Sequence, residues 1–210
     1  VAGLVIVDYD RGNLRSVQKG FEQVGASARI SREPKDIADA DQVVLPGVGA
    51  FADCMDNLTR FGLVEPVLKA VQAGKPFLGI CLGMQLLFTE SAEFGPTPGL
   101  GLIPGRVEPF PTDMEADGRR LKVPHMGWNR LHLSRPAPVF EGTPEGTFCY
   151  FVHSFHAVPD DLEVVAATTQ YGILFTSAVW KDNVVGCQFH PEKSDRAGLA
   201  MLKAFAGWNP

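Results

Sequence analysis

The chain has 210 residues, 45% of them hydrophobic, and a formal net charge of −5. That supports one domain spanning 1–210 with a substantial core, while an acidic balance without Lys/Arg runs argues against a nucleic-acid backbone as partner. No apolar run reaches the roughly 18 residues of a membrane span, and the opening "VAGLVIVDYDRGNL" lacks the basic-then-apolar layout of a signal peptide.

"LVIVD" (Leu4 to Asp8) reads as a strand buried on both faces. Leu14, Val17, Phe21 and Val24 then recur at helical spacing, with Gly25 as the stop. "SARIS" and "DQVVLPGVGAF" read as a second and third strand, the latter ending in a Gly-rich turn. Asp53 to Ala73 is helical in character, interrupted near Phe61-Gly62 and closed by Gly74, and "PFLGI" is a strand leading into a helix start, "GMQLLF". Strands alternating with helices predict an α/β fold with a mostly parallel sheet and helices on both faces. From Gly95 the chain is rich in Gly, Pro and short runs ("KVPHMGWNRLHL", "TFCYFVHSF", "EVVAATT", "SAVWKD", "NVVGCQFH"), which read as antiparallel strands and loops before a closing helix, "DRAGLAMLKAFAGW".

The four cysteines (Cys54, Cys81, Cys149, Cys187) lie far apart with no C-x-x-C, favouring free thiols in a reducing cytoplasm over disulfides or a metal site. Cys81 differs from the others because Gly79 and Gly83 flank it. Gly-x-Cys-x-Gly between strand and helix has the spacing of a nucleophile elbow, in which side chains two positions away would collide with backbone. A small buried core thiol is the competing explanation. A cysteine nucleophile needs a base and a group that orients it. Of five histidines, His190 has Glu192 two residues on across Pro191, and an extended segment points both to one side. A solvated His and Glu at a strand end is the plainer alternative. "LPGVGAF" places Gly47, Val48 and Gly49 at another strand end, where a backbone N–H, with that of Leu82, can meet a developing oxyanion. An ordinary turn has the same composition. A phosphate-binding loop does not fit, since no G-x-x-x-x-G-K-[ST] is present.

Together "GICLGMQLL", "PGVGAF" and "GCQFHPEKS" resemble the class I glutamine amidotransferases, in the family's order and over nearly the whole chain. The resemblance implies that Cys81 attacks the amide of L-glutamine, that His190 moves the proton and Glu192 orients it, and that Gln85 and Glu93 hold the substrate. It implies no cofactor and no metal. "DYDRGNLRSV", "KVPHMGWN" and "YFVHSF" are similar to the branch serving imidazole glycerol phosphate formation in histidine biosynthesis. In that branch a separate (β/α)8-barrel cyclase subunit receives the ammonia, and the short length here leaves no room for a synthase domain. Asn13, Met126, Trp128, Tyr150 and Lys193 match positions facing that partner; a place among the core aromatics of the second half is the alternative for Trp128 and Tyr150, of equal weight for Trp128. Phe155 stands where the family often has Tyr, and Asp195 adds a charge near the expected mouth. The other three cysteines read as buried structural thiols. A glutaminase subunit for another synthase, a non-catalytic scaffold and a cysteine peptidase remain as alternatives.

Overall fold

Leu4, Ile6 and Val44 belong to one apolar cluster, whereas Val5, Val7, Val43 and Leu45 belong to a second. This alternation follows from strands whose successive side chains point to opposite faces, and it sets the layering of the chain. The computed structural model describes residues 3–116 and 118–210; Val1 and Ala2, at the head of the stretch tested above for a signal peptide, and Asp117 lie outside them. The first half runs β1 (Leu4–Val7), α1 (Leu14–Gln23), β2 (Ala28–Ser31), α2 (Pro34–Asp39), β3 (Gln42–Gly47), α3 (Phe51–Arg60), α4 (Val64–Gln72), β4 (Phe77–Cys81) and α5 (Leu82–Gln85). Val17 and Phe21 of α1 cover the first face, where α6 (Asp195–Gly207) joins them through Met201, Leu202 and Phe205. Helices α2, α3 and α4 cover the other through Ile37, Phe51, Leu58 and Val67.

The second half is strand-rich, as its composition predicts. It comprises β5 (Phe88–Ser91), β6 (Thr97–Pro98), β7 (Ile103–Pro109), β8 (Glu115–Ala116), β9 (Arg119–Arg120), β10 (His125–Arg130), β11 (His132–Leu133), β12 (Phe148–His153), β13 (Phe155–Pro159), β14 (Val165–Tyr171), β15 (Ile173–Lys181) and β16 (Val184–Cys187). The main sheet runs β2-β1-β3-β4-β16-β15-β13-β7-β5-β6, with β14 on β15 and β11 on β14. Strands β10 and β12 form a separate antiparallel ribbon.

The structure departs from the sequence expectations in three places. β16 is antiparallel to β15 but parallel to β4, so it completes the parallel half of the sheet. The helix after Cys81 is one turn, Leu82–Gln85, before the chain enters β5. Residues Leu82 to Phe88 are all buried, and a segment apolar on every side gives no periodicity to mark where a helix ends. The short α2, started by Pro34 at its first position, was not anticipated. No helix among the described residues is long and apolar enough to cross a membrane.

Candidate active site

Three neighbouring parallel strands end together. Gly47 on β3 lies beside Cys81 on β4, and Cys187 on β16 lies beside Ile80. The residues just beyond these ends therefore meet at the carboxyl edge of the sheet, where ligands gather in open α/β folds. Cys81 itself adopts φ 55° and ψ −113°, a conformation that costs a non-glycine residue free energy. Its neighbours explain how the turn closes. A Cβ on Gly83 would lie 1.8 Å from the Leu45 carbonyl oxygen, and one on Gly79 would lie 2.6 Å from the Gly83 oxygen. The strands pack against the turn so closely that only hydrogen fits at either position.

His190 follows β16 on the adjacent strand end. Its Nδ1 is 2.8 Å from Glu192 Oε1, and both side chains are almost fully buried (3% and 1% exposed). The backbone is fixed as well: His190 N–H donates to the Tyr150 carbonyl, and the Ser194 hydroxyl donates to the His190 carbonyl. Burial works against a charged His190, yet the Cys81 thiol and the Glu192 carboxylate beside it outweigh burial and raise its pKa to about 10. Among the described residues the Nε2 end has no hydrogen-bond partner. Cys81, His190 and Glu192 are thus brought together, with Glu192 holding one face of the imidazole and the thiol close to the ring.

Cys81 and His190 open on a cavity of about 380 Å³ that is also lined by Val48, Gly49, Leu82, Gln85, Glu93 and Phe155. All the predicted substrate-side residues except Gly47 line it; Gly47 sits behind, packed where a Cβ would be 2.9 Å from the Gly83 nitrogen. Leu82, as the first residue of α5, has no acceptor for its N–H within its own turn. One turn of helix carries little of the dipole expected from a longer one, so the local N–H groups matter here more than any macrodipole. Glu93 accepts a hydrogen bond from Phe51 N–H at 2.6 Å, tying the cavity rim to the start of α3. A larger cavity, 490 Å³, lies at the Gly3–Val5 end of the sheet, lined by Ser27, Arg29, Asp36 and Asp39, and its lining holds neither cysteine nor histidine.

Several contributors were not foreseen. Gln188 is fully buried and donates to Cys81 Sγ at 3.7 Å, while its Oε1 accepts from Gln85 Nε2 at 2.9 Å. It is two residues before His190, and no motif marks it; the expected extended segment through His190 and Glu192 is instead a 3-10 turn, Pro191–Lys193, which brings the carboxylate back under the ring. Tyr9 donates to the Pro46 carbonyl at 2.6 Å, and the Cys54 thiol donates to the Val48 carbonyl at 3.6 Å. The peptides on either side of the Gly47–Val48 link are therefore anchored by buried side chains. Burial pushes the Cys54 thiol up to about 11, which keeps its proton available for that bond. His153 and His125 were passed over in the sequence because no carboxylate follows them. Both are buried, and burial lowers them to about 3 and about 4.

On the outer face of the ribbon, Met126 (62% exposed) and Trp128 (53%) face solvent. Trp128 is opposite Tyr150 with ring centroids 6.2 Å apart, and Lys193 Nζ lies 5.9 Å from the Tyr150 ring. Trp128 is thus a surface residue and not a core aromatic. Asn13 precedes α1, and its side chain makes no capping bond.

Residues 5–206 match the family model Glutamine amidotransferase class-I. The chain belongs to the class I glutamine amidotransferases. Among curated relatives of this amidotransferase, the imidazole glycerol phosphate synthase subunit HisH of Syntrophotalea carbinolica is 62% identical over 202 residues, covering 96% of this chain and 98% of the relative. The HisH subunit of Geobacter metallireducens is 58% identical over 206 residues, 98% of both. This amidotransferase therefore sits in the HisH branch. Among solved structures, one described as a glutamine amidotransferase superposes with TM-score 0.71 at 22% identity, covering 98% of this chain and all of that one. PurLQS from Thermotoga maritima gives TM-score 0.71 at 19% identity, 97% of each. At such identities the likeness is one of fold.

Proposed function

We propose that residues 1–210 form one cytoplasmic glutaminase domain, the subunit of an imidazole glycerol phosphate synthase that hydrolyses L-glutamine. Its ammonia passes to a (β/α)8-barrel cyclase subunit, which makes imidazole glycerol phosphate and aminoimidazole carboxamide ribonucleotide. The observation that carries this reading is the buried His190–Glu192 pair at 2.8 Å beside the thiol on the strained elbow. His190, protonated because Cys81 and Glu192 raise its pKa to about 10, already holds the proton when Cys81 Sγ adds to the side-chain amide carbon of glutamine. The resulting oxyanion is met by the N–H groups of Leu82 and of the Val48–Gly49 loop. Collapse expels the amide nitrogen, which leaves as ammonia with the proton from His190 Nε2, and a glutamyl thioester remains on Cys81. Water, deprotonated by the same imidazole, then attacks the thioester; glutamate departs and the thiol is restored. Gln85 spends its amide N–H groups on Gln188 and the Phe155 carbonyl, leaving Oε1 for the substrate. Glu93 attracts the α-ammonium group.

Ammonia released to water is protonated and no longer a nucleophile, so a synthase has to receive it at this site. Met126, Trp128, Tyr150 and Lys193 supply an aromatic and cationic patch of the kind that anchors interfaces, and Asn13 offers a free amide. Mixing the chain with a cyclase subunit and its ribonucleotide substrate is expected to give glutamine-dependent product. Cys81→Ala is expected to abolish glutamine hydrolysis while leaving the complex and ammonia-dependent cyclisation intact. Glutamine-dependent turnover surviving in that variant refutes the assignment.

A further inference from the structure

The inner face of the β10–β12 ribbon carries a hydrogen-bond chain whose every donor and acceptor is determined. It is anchored at the Phe155 carbonyl, which can only accept. On one side His153 Nδ1–H donates to that carbonyl at 2.8 Å, which leaves His153 Nε2 as an acceptor. His125 Nδ1 is 3.0 Å from it and is therefore the donor, so His125 Nε2 accepts from Asn129 Nδ2 at 3.2 Å. The other hydrogen of Asn129 Nδ2 goes to the Gln170 carbonyl at 2.9 Å, which fixes the amide's orientation. On the other side Gln85 Nε2 donates to Phe155 O at 3.0 Å and to Gln188 Oε1 at 2.9 Å. Gln188 must then present its Nε2–H to the Cys81 sulfur, and it does so at 3.7 Å.

We propose that this two-armed chain couples the β10–β12 ribbon to the nucleophile, with Gln188 as the positioning residue that turns an N–H toward the sulfur. The ring of His125 is clamped between Phe151 and Tyr171, with centroids 4.9 and 4.0 Å away and both ring pairs within 28° of parallel, so it cannot tilt without disturbing the ribbon. His125 and Asn129 alternate along β10 with the outward-facing Met126 and Trp128. A load on the outer face of that strand is transmitted to its inner face. The ribbon has a second hold on the site through the Tyr150 carbonyl, which accepts from His190 N–H at 2.9 Å. A thiolate is stabilised by an N–H aimed at it and reacts only in that form; an amide flipped in Gln188 would present a carbonyl oxygen and oppose it.

The inference rests on Cys81 being the nucleophile, but its test needs no glutamine turnover, so the two can fail separately. The full chain and the variants Gln188→Met, Asn129→Leu and the double variant are alkylated with iodoacetamide at pH 7. Modification of Cys81 is followed by peptide mass analysis, and thermal unfolding checks that each variant folds. Gln188→Met is expected to slow alkylation of Cys81 about tenfold, the scale of one hydrogen bond to a charged group. Asn129→Leu, acting from the far end, is expected to slow it about threefold. The double variant is expected to be no slower than Gln188→Met alone, because the chain is already cut. In glutamine turnover both single variants lower kcat, and Asn129→Leu, which touches no substrate-binding residue, leaves KM within about twofold. Should Gln188→Met not fold, Gln188→Glu, which keeps the shape and removes the donor, takes its place. Alkylation unchanged in Asn129→Leu, or a double variant slowed by the product of the two single effects, overturns the coupling.

Discussion

Replacing Gly83 by alanine tests the elbow where the structure is least forgiving. The added Cβ would lie 1.8 Å from the Leu45 carbonyl oxygen and 2.8 Å from the carbonyl carbon. Neither atom is the end of a flexible side chain, so relief requires β3 or the elbow to retreat by about 1 Å or more. Overpacking of this kind costs up to about 3 kcal/mol, and for a chain of this size each kcal/mol shifts Tm by roughly 2–4 °C. A fall in Tm of about 6–12 °C follows. Gly207→Ala is the control: it closes α6 with no atom within 4 Å of the added methyl, and alanine's helix preference raises Tm by about 1–3 °C. Because β3 leads directly into the Pro46–Gly49 loop, the displacement also misaligns the oxyanion donors. A 1 Å error in such geometry costs about 100-fold in rate. The assays are a thermal scan of both variants and glutamine hydrolysis in the presence of the cyclase. A Gly83→Ala protein that melts within about 1 °C of the parent and turns over normally would falsify the packing account of this glycine.

Loss of the thiol that holds the Val48 carbonyl, in Cys54→Ala, is expected to lower kcat about three- to tenfold with little change in KM; Cys54→Ser, which restores a donor, recovers most of it. Steady-state kinetics of the two variants decide the point. Stability is expected to fall on acidification from pH 6.5 down to about 4 for His125 and about 3 for His153. His125 and His153 stay neutral in the fold, with pKa values of about 4 and about 3, whereas the unfolded chain takes up protons near 6.5. Each histidine contributes a slope of up to about 1.4 kcal/mol per pH unit, readable from urea melts, and His125→Asn flattens it. His190 acts in the opposite sense: its raised pKa of about 10 adds stability below 6.5 that drains away as pH rises through 6.5 toward 10. Trp128→Ala is expected to weaken the complex with the cyclase by about 30-fold, the scale of an aromatic anchor, as measured by titration calorimetry; unchanged affinity removes Trp128 from the interface.

The sequence made β1, β3 and β4 legible because they are unbroken apolar runs, with α1 closed by a clear stop, Gly25 at φ +82°, whereas β16 reads as antiparallel and gives no sign of its parallel partner β4. It also placed Cys81 at a strand end, and His190 beside Glu192, although that pair closes across the 3-10 turn Pro191–Lys193 and not along an extended segment. What it hid were contacts made across long separations. Gln188 touches Cys81 and Gln85 only because β16 inserts beside β4, and neither strand announces its partner. Tyr9 and Cys54 were hidden for the opposite reason. A buried tyrosine and a buried thiol look like core filling until their polar atoms are seen to end on the Pro46 and Val48 carbonyls. The length of the helix after the elbow was lost in a segment buried on every side, where periodicity has nothing to report.

The insertion of β16 between β4 and β15 bears on when the enzyme comes into being during its synthesis. Until the ribosome has released Val184–Cys187, β4 has a bare edge, and the elbow has neither Gln188 nor His190 beside it. The catalytic centre is thus among the last long-range contacts available to the growing chain, and such contacts form slowly. A truncated or stalled product ending before β16 carries Cys81 but not the proposed base, His190. On the proposed mechanism, partly made chains are expected to lack glutaminase activity until the sheet is complete.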